Sequence, residues 1–215
     1  MNPRQIFDEA WGRADMLTVI HTFVARRGTG ALRPDELLRA EWVARVSALD
    51  LFIHELVAQR MLKIISQELP QTAAFTRFRV STDTAARMAV GPATAAQAAF
   101  DLDLREQFST LTFQMPDKIA DAIRLCSSVK LWNAVAENQN LGAPTAQIEV
   151  FSKNIKATLS LIVGRRNKIA HEGDLQPGVP REPWPISESD VAEVRNFIQC
   201  LVISIDSVVA AADPP

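Results

Sequence analysis

The chain contains no tyrosine, two cysteines, three histidines, and almost no excess of one charge over the other. Without tyrosine, phenolic acid–base chemistry and tyrosine modification are excluded. Cys126 and Cys200 both fall at apolar positions of a helical pattern, which reads as buried free thiols rather than a disulfide or a reactive nucleophile. Two isolated cysteines and three scattered histidines lack ligand spacing, so no metal and no cofactor is expected. A net charge of −2, from 23 basic and 25 acidic residues, supplies no global field for nucleic acid. Any RNA contact then has to come from a local patch or from assembly. The opening "MNPRQIFDEAWGR" has no apolar signal core. The late stretch "CLVISIDSVVAAA" carries Asp206 and falls short of the roughly 20 residues that span a bilayer. A cytoplasmic protein without membrane contact is the expectation.

What is present is helical periodicity. Hydrophobic residues make up 47% of 215 positions and charged residues 22%, enough to bury a core within one domain spanning 1–215. No alternating strand pair is visible. The pattern predicts a first helix over 4–25, ended by the "RRGTG" turn. Pro34 and Asp35 then open a long helix to Gln67. Its apolar positions Leu38, Trp42, Val46, Leu49, Ile53, Leu56, Val57 and Ile64 follow the three-and-four rule. Residues 70–115 read as a variable, partly helical connection, with a helix over 93–113. Further helices are predicted over 117–138 after Pro116, and from Pro144 or Thr145 to Ala170. Ser187 with Asp190 three residues on is a capping-box start for a last helix to Ala211. The fold class is therefore all-α, an up-and-down helical bundle with an elaborated middle connection, its core helices within 4–67 and 117–212.

One helix end stands out. After "LSLIV", "GRRNKIAHEGD" (164–174) adds two arginines, an asparagine, a lysine and a histidine. Basic residues are common in the last turn of any helix, because exposed carbonyls favour them. Yet Arg166 falls in the middle of an apolar face made by Ile155, Leu159, Ile162, Val163, Ile169 and Ala170. A guanidinium there needs an acceptor from another helix, another chain or a ligand. Asn167 and His171 sit four apart on the shoulder of that face. Arg166 and His171 are about 140° apart on an ideal helix. To serve one phosphate, the arginine must bend round, the helix must loosen near Gly173, or a second copy of the chain must complete the set.

"RNKIAH" resembles the signature of the HEPN superfamily, an arginine followed by a polar residue and then a histidine near a helix end. "RRNKIAHEGD", the late "IS…DV…FI" helix and the long helix with "RVSALDLFIHELV" are similar more narrowly to RiboL-PSP-type HEPN domains. The resemblance covers 35–67 and 145–212, while the middle matches only in being helical. It implies a HEPN-like bundle and a metal-independent endoribonuclease of toxin–antitoxin or antiviral defence systems, with the motif at a homodimer interface. It also implies an RNA substrate and an antitoxin or defence-system partner protein. Arg166 and His171 would be the catalytic pair and Asn167 their polar support. Some relatives carry a tyrosine two residues after the histidine, which a partner nucleotidyltransferase modifies. Gly173 stands there in this chain, so that route of control is not expected. The alternative reading is a non-cleaving RNA- or protein-binding dimerisation module.

The residue types suit the chemistry. RNA carries its own nucleophile, the 2′-OH, so the protein need only move protons and stabilise phosphorane charge. Histidine, with an ordinary pKa of about 6.5, moves protons near neutrality. Arginine keeps its proton and grips two phosphate oxygens at once. Elsewhere, "HELVA" from His54 opens like a zinc-protease helix but has Ala58 where the second histidine must stand. Asp50 and His54, four apart, read as an intrahelical pair or as supporting residues that hold Arg166 or position His171. Arg60 reads as paired with a carboxylate and His21 as packed. Trp42 and Trp132 read as core or interface anchors.

Overall fold

The structure, a computed structural model, describes residues 2–28 and 33–213. The far half of the expected "RRGTG" turn lies outside them. The described residues form eight α-helices and no strand: α1 Pro3–Arg26, α2 Asp35–Ile65, α3 Thr82–Val90, α4 Ala93–Phe108, α5 Pro116–Cys126, α6 Leu131–Gln139, α7 Thr145–Glu172 and α8 Glu188–Ala211. A 3-10 turn, Phe75–Arg77, precedes α3.

α2 is the centre of the bundle. Its buried residues lie all round the helix rather than along one stripe, as a helix surrounded by others requires. α1, α4, α5, α7 and α8 pack against it, and α6 bridges α7 and α8. The anchors are specific. Trp42 donates its indole N–H to the carbonyl of Ile162 at 3.0 Å and so bolts α2 to α7. Trp132 donates to the carbonyl of Pro116 at 3.2 Å, fixing α6 beneath the start of α5. α8 starts at the anticipated capping box, with Ser187 and Asp190 each accepting from the other's backbone amide.

α8 has the length and apolar composition of a membrane span, contrary to the short stretch singled out from the sequence. Val191, Val194, Ile198, Leu201, Val202 and Ile205 of this helix are buried in the bundle core. Cys126 is buried, and burial pushes its thiol up to about 12. Cys200 is exposed, which corrects the expectation of two buried thiols: it sits on the outer face of α8, beside rather than within the apolar stripe.

Two helix boundaries also differ. The helix expected over 93–113 stops at Phe108, and the 117–138 helix is two. Ser127 is extended (φ −154°, ψ 148°) and its hydroxyl accepts from the amide of Val129, an alternative to the helical ladder that serine offers readily. The middle connection contributes to the core rather than skirting it. Phe75, Phe100, Leu104, Phe108 and Phe113 are buried in the same apolar cluster as Phe7 and Val209.

Candidate active site

The two arginines of "GRR" meet α2 at different places, Arg165 lying over the Trp42 ring 5.0 Å from its centroid. Arg165 reaches Asp174, nine residues on, with Nη2 3.1 Å from Oδ2, and donates to the carbonyl of Pro185 at 2.7 Å. Arg39 of α2 meets the same oxygen at 3.2 Å and donates to the carbonyl of Trp184 at 2.6 Å. Asp174 is 1% exposed. α7 ends on Gly173, which takes the left-handed conformation (φ 67°) that suits glycine. The chain then doubles back, the Trp184 amide donating to the Asp174 carbonyl at 2.7 Å. Arg165 and Asp174 therefore fold the segment after α7 onto the helix. Asp174 was not anticipated; its signal was an acid just past a glycine cap that follows a basic last turn.

Arg166 turns toward α2. Its guanidinium is half-buried, Nη1 donating to the side-chain oxygen of its own neighbour Asn167 at 3.1 Å, and Nε has no hydrogen-bond partner. The acceptor that an arginine on this face requires is thus Asn167, with the Asp50 carboxylate close enough to act through space. Ala170, expected on the buried face, is exposed.

Asp50 and His54 do form an intrahelical pair, His54 Nε2 lying 3.6 Å from Asp50 Oδ1. Asp50 also accepts a short hydrogen bond from the backbone amide of Phe113. Burial pushes its carboxyl above the ordinary range, against the opposing pull of that amide, His54 and Arg166. The His54 ring packs on Phe113, centroids 4.4 Å apart, with Phe108 at 6.0 Å. The end of the middle connection thus closes over this pair, and Phe113 is a contact that sequence spacing does not reveal.

His171 stands apart. It is exposed, and no hydrogen bond or ion pair joins its ring to another described residue. α7 remains helical through Glu172, so the helix does not loosen before His171. Of the ways to bring Arg166 and His171 to one phosphate, that one is removed. Arg166 is gathered with Asp50 and His54 on the α2 side and bonds Asn167, while His171 lies about 140° of helix turn from Arg166. Among the described residues no three of His, Cys, Asp or Glu converge as a metal site.

A second polar cluster is buried beneath α1. Arg45, fully buried, pairs with Glu41 at 2.7 Å and Asp15 at 2.6 Å and lies over Trp11, 4.2 Å from the ring centroid. Arg195 of α8 reaches Glu41 at 2.7 Å, and Thr18 donates to Glu41 at 2.7 Å. Burial alone would raise the Glu41 carboxyl, but bonds from Arg195, Thr18 and Arg45 outweigh it and hold it low. Each charged side chain here has a structural partner, though Arg195 Nε has none, and the cluster joins α1, α2 and α8. Arg60 is paired with Asp213, and His21 is buried with Nδ1 3.1 Å from Glu188.

Among known families, the model described as RiboL-PSP-HEPN matches residues 25–211, a span holding α2 to α8 and every residue of the candidate site. The match supports a ribonuclease-like or RNA-binding role. No curated protein and no solved structure matches the chain.

Proposed function

The chain belongs to the RiboL-PSP-HEPN family, and on that footing we propose that it is a metal-independent endoribonuclease whose active site is completed by a second copy of the chain. The observation that carries this reading is the state of His171, an exposed and unpaired imidazole on the same helix as a half-buried arginine. A histidine kept only for packing has contacts, as His21 does. A helix-capping histidine has no need of an arginine on the α2 side.

The chemistry follows from the residues. Neutral His171 accepts the proton of the ribose 2′-OH as that oxygen attacks the adjacent phosphorus. The bond from phosphorus to the 5′-oxygen breaks, and the imidazolium so formed passes its proton to the leaving oxygen, beside the partner subunit's Arg166. The products are a 2′,3′-cyclic phosphate and a 5′-hydroxyl. Arg166 stabilises the extra negative charge on the phosphorane, in the two-pronged manner that a lysine cannot reproduce. Asn167 holds the guanidinium, and Asp50, with His54 against it, sets the field in which Arg166 sits. The setting we favour is a cytoplasmic toxin–antitoxin or antiviral defence system in which a partner protein restrains the nuclease.

One observation favours a second reading. Arg166 and His171 diverge on a regular helix, so one chain alone does not aim both at one phosphate. A dimerisation module that binds RNA or a partner without cutting would tolerate that divergence. Cleavage of mixed RNA in EDTA, with the product ends identified, separates the two. Cyclic-phosphate ends support the nuclease, and intact RNA or an absolute need for Mg²⁺ overturns it.

A further inference from the structure

On the opposite side of α7 from Arg166, the returned segment leaves a groove of about 380 Å3 lined by Leu161, Gly164, Arg165, Lys168, Asp174 and Trp184, among others. We infer that this groove binds a nucleotide of single-stranded RNA next to the one that is cut, its base against Trp184 and its phosphate at Lys168. The inference rests on the ribonuclease reading above and gives it a substrate-binding surface.

Four observations carry it. First, position on the helix: Leu161, Gly164, Lys168 and His171 are three, four and three residues apart, so they form one stripe along α7. His171 is therefore the next group along the stripe that floors the groove, about 10 Å along the axis from Gly164. Second, Trp184 is 42% exposed, while Trp11, Trp42 and Trp132 are at most 9% exposed. Its backbone is pinned on both sides, by Arg39 at its carbonyl and Asp174 at its amide, so the ring is presented by a fixed frame. An exposed aromatic beside a cation is the pairing that holds unstacked bases regardless of sequence. Third, the space is open. A Cβ placed at Gly164 meets no atom within 4 Å, so nothing fills the groove above that turn. Glycine in a helix interior weakens it relative to alanine, and here it leaves room for a flat ring. Fourth, the buried Asp174 uses only Oδ2 for its two arginines. Its Oδ1 has no hydrogen-bond partner, an acceptor suited to a base N–H or a ribose hydroxyl.

The test uses the full chain carrying His171→Ala, so that RNA is bound but not cut, and a fluorescein-labelled single-stranded RNA of mixed sequence. Trp184→Ala and Gly164→Leu are each expected to weaken binding about tenfold, from lost stacking and from a filled groove. Trp184→Phe keeps a stacking ring and is expected to bind close to the parent. RNA is expected to quench tryptophan emission in the parent, and the quench disappears in Trp184→Phe. Gly164→Leu replaces a helix-weakening residue in open space, so its loss of binding is not a folding defect. Parental affinity in both Trp184→Ala and Gly164→Leu, with the wild-type chain still cutting, overturns the groove and leaves the nuclease standing. A wild-type chain that neither binds nor cuts RNA overturns both. Conversion of Trp184→Ala from dimer to monomer in sedimentation overturns the RNA assignment in favour of an interface between copies.

Discussion

At the scale of the residue, Arg166 and His171 have separate jobs and separate signatures. His171→Ala is expected to lower the cleavage rate about 10²–10⁴-fold while RNA binding survives. Since the ring has no partner among the described residues, its loss should cost at most about 1 kcal/mol of helix stability. Arg166→Lys keeps the charge but loses the planar fork, and cleavage should fail with the fold intact. Full activity in either variant, measured beside a circular dichroism melt, would return this helix end to ordinary capping. The cysteines give an independent check on the residue assignments. Ellman's reagent should label Cys200 quickly in the native chain and leave the buried, high-pKa Cys126 until unfolding. These residues differ in how far sequence foretold them. The centring of Arg166 on an apolar face is a matter of spacing, and spacing is legible. Asn167 as its acceptor is not, because the choice among neighbouring side chains is made by rotamers and by α2. Cys200 was misplaced because one position of error in a helical wheel turns a side chain from the core to the surface.

At the scale of the element, the segment after α7 is held by one buried carboxylate between two arginines. Asp174→Ala leaves Arg39, 5% exposed, with only the exposed Glu36 as a charge partner. Removing one member of a buried pair costs about 3–5 kcal/mol, and the loosened segment should show faster amide exchange around residues 175–186. Unchanged stability and exchange would remove Asp174 as the clasp. Long helices were readable throughout: α1, α2, α7 and α8 have periodic apolar faces, and their caps carry the expected proline, glycine and Ser–Asp signals. The short elements were not. The break at Ser127 and the early end of α4 are decided by side chains that compete for the backbone, Ser127 in one case and Asp50 gripping the Phe113 amide in the other. A hydrogen bond between residues 63 apart leaves no periodic trace.

At the scale of the whole molecule, two carboxylates, Glu41 buried and Asp50 half-buried, make stability depend on pH in opposite directions. Glu41 is held below its ordinary value of 4.5, so its contribution is complete above 4.5 and is lost as pH falls through the lowered value. Asp50 is raised above 3.8, so its contribution is complete below 3.8 and declines as pH climbs through the raised value. Thermal melts across that range should lose the acid-side drop in Glu41→Gln and the opposing slope in Asp50→Asn. Identical pH profiles in both variants and the parent would contradict the assignments. The bundle of long helices was expected from periodicity, but the Glu41–Arg45–Arg195 junction was not, since a charged residue at a core position reads as surface until its partners on other helices are known.

The central claim, that a second copy completes a metal-independent ribonuclease site, is tested most directly by mixing two inactive variants. His171→Ala and Arg166→Ala chains, each inert alone, are combined in EDTA with labelled RNA under conditions that exchange subunits. If each composite site draws Arg166 from one protomer and His171 from the other, mixed dimers contain one intact site. Cleavage then returns, leaving 2′,3′-cyclic phosphate ends. No recovery of cleavage from mixed dimers whose formation is verified by sedimentation, while the wild-type dimer cuts in EDTA, would contradict a site shared between copies.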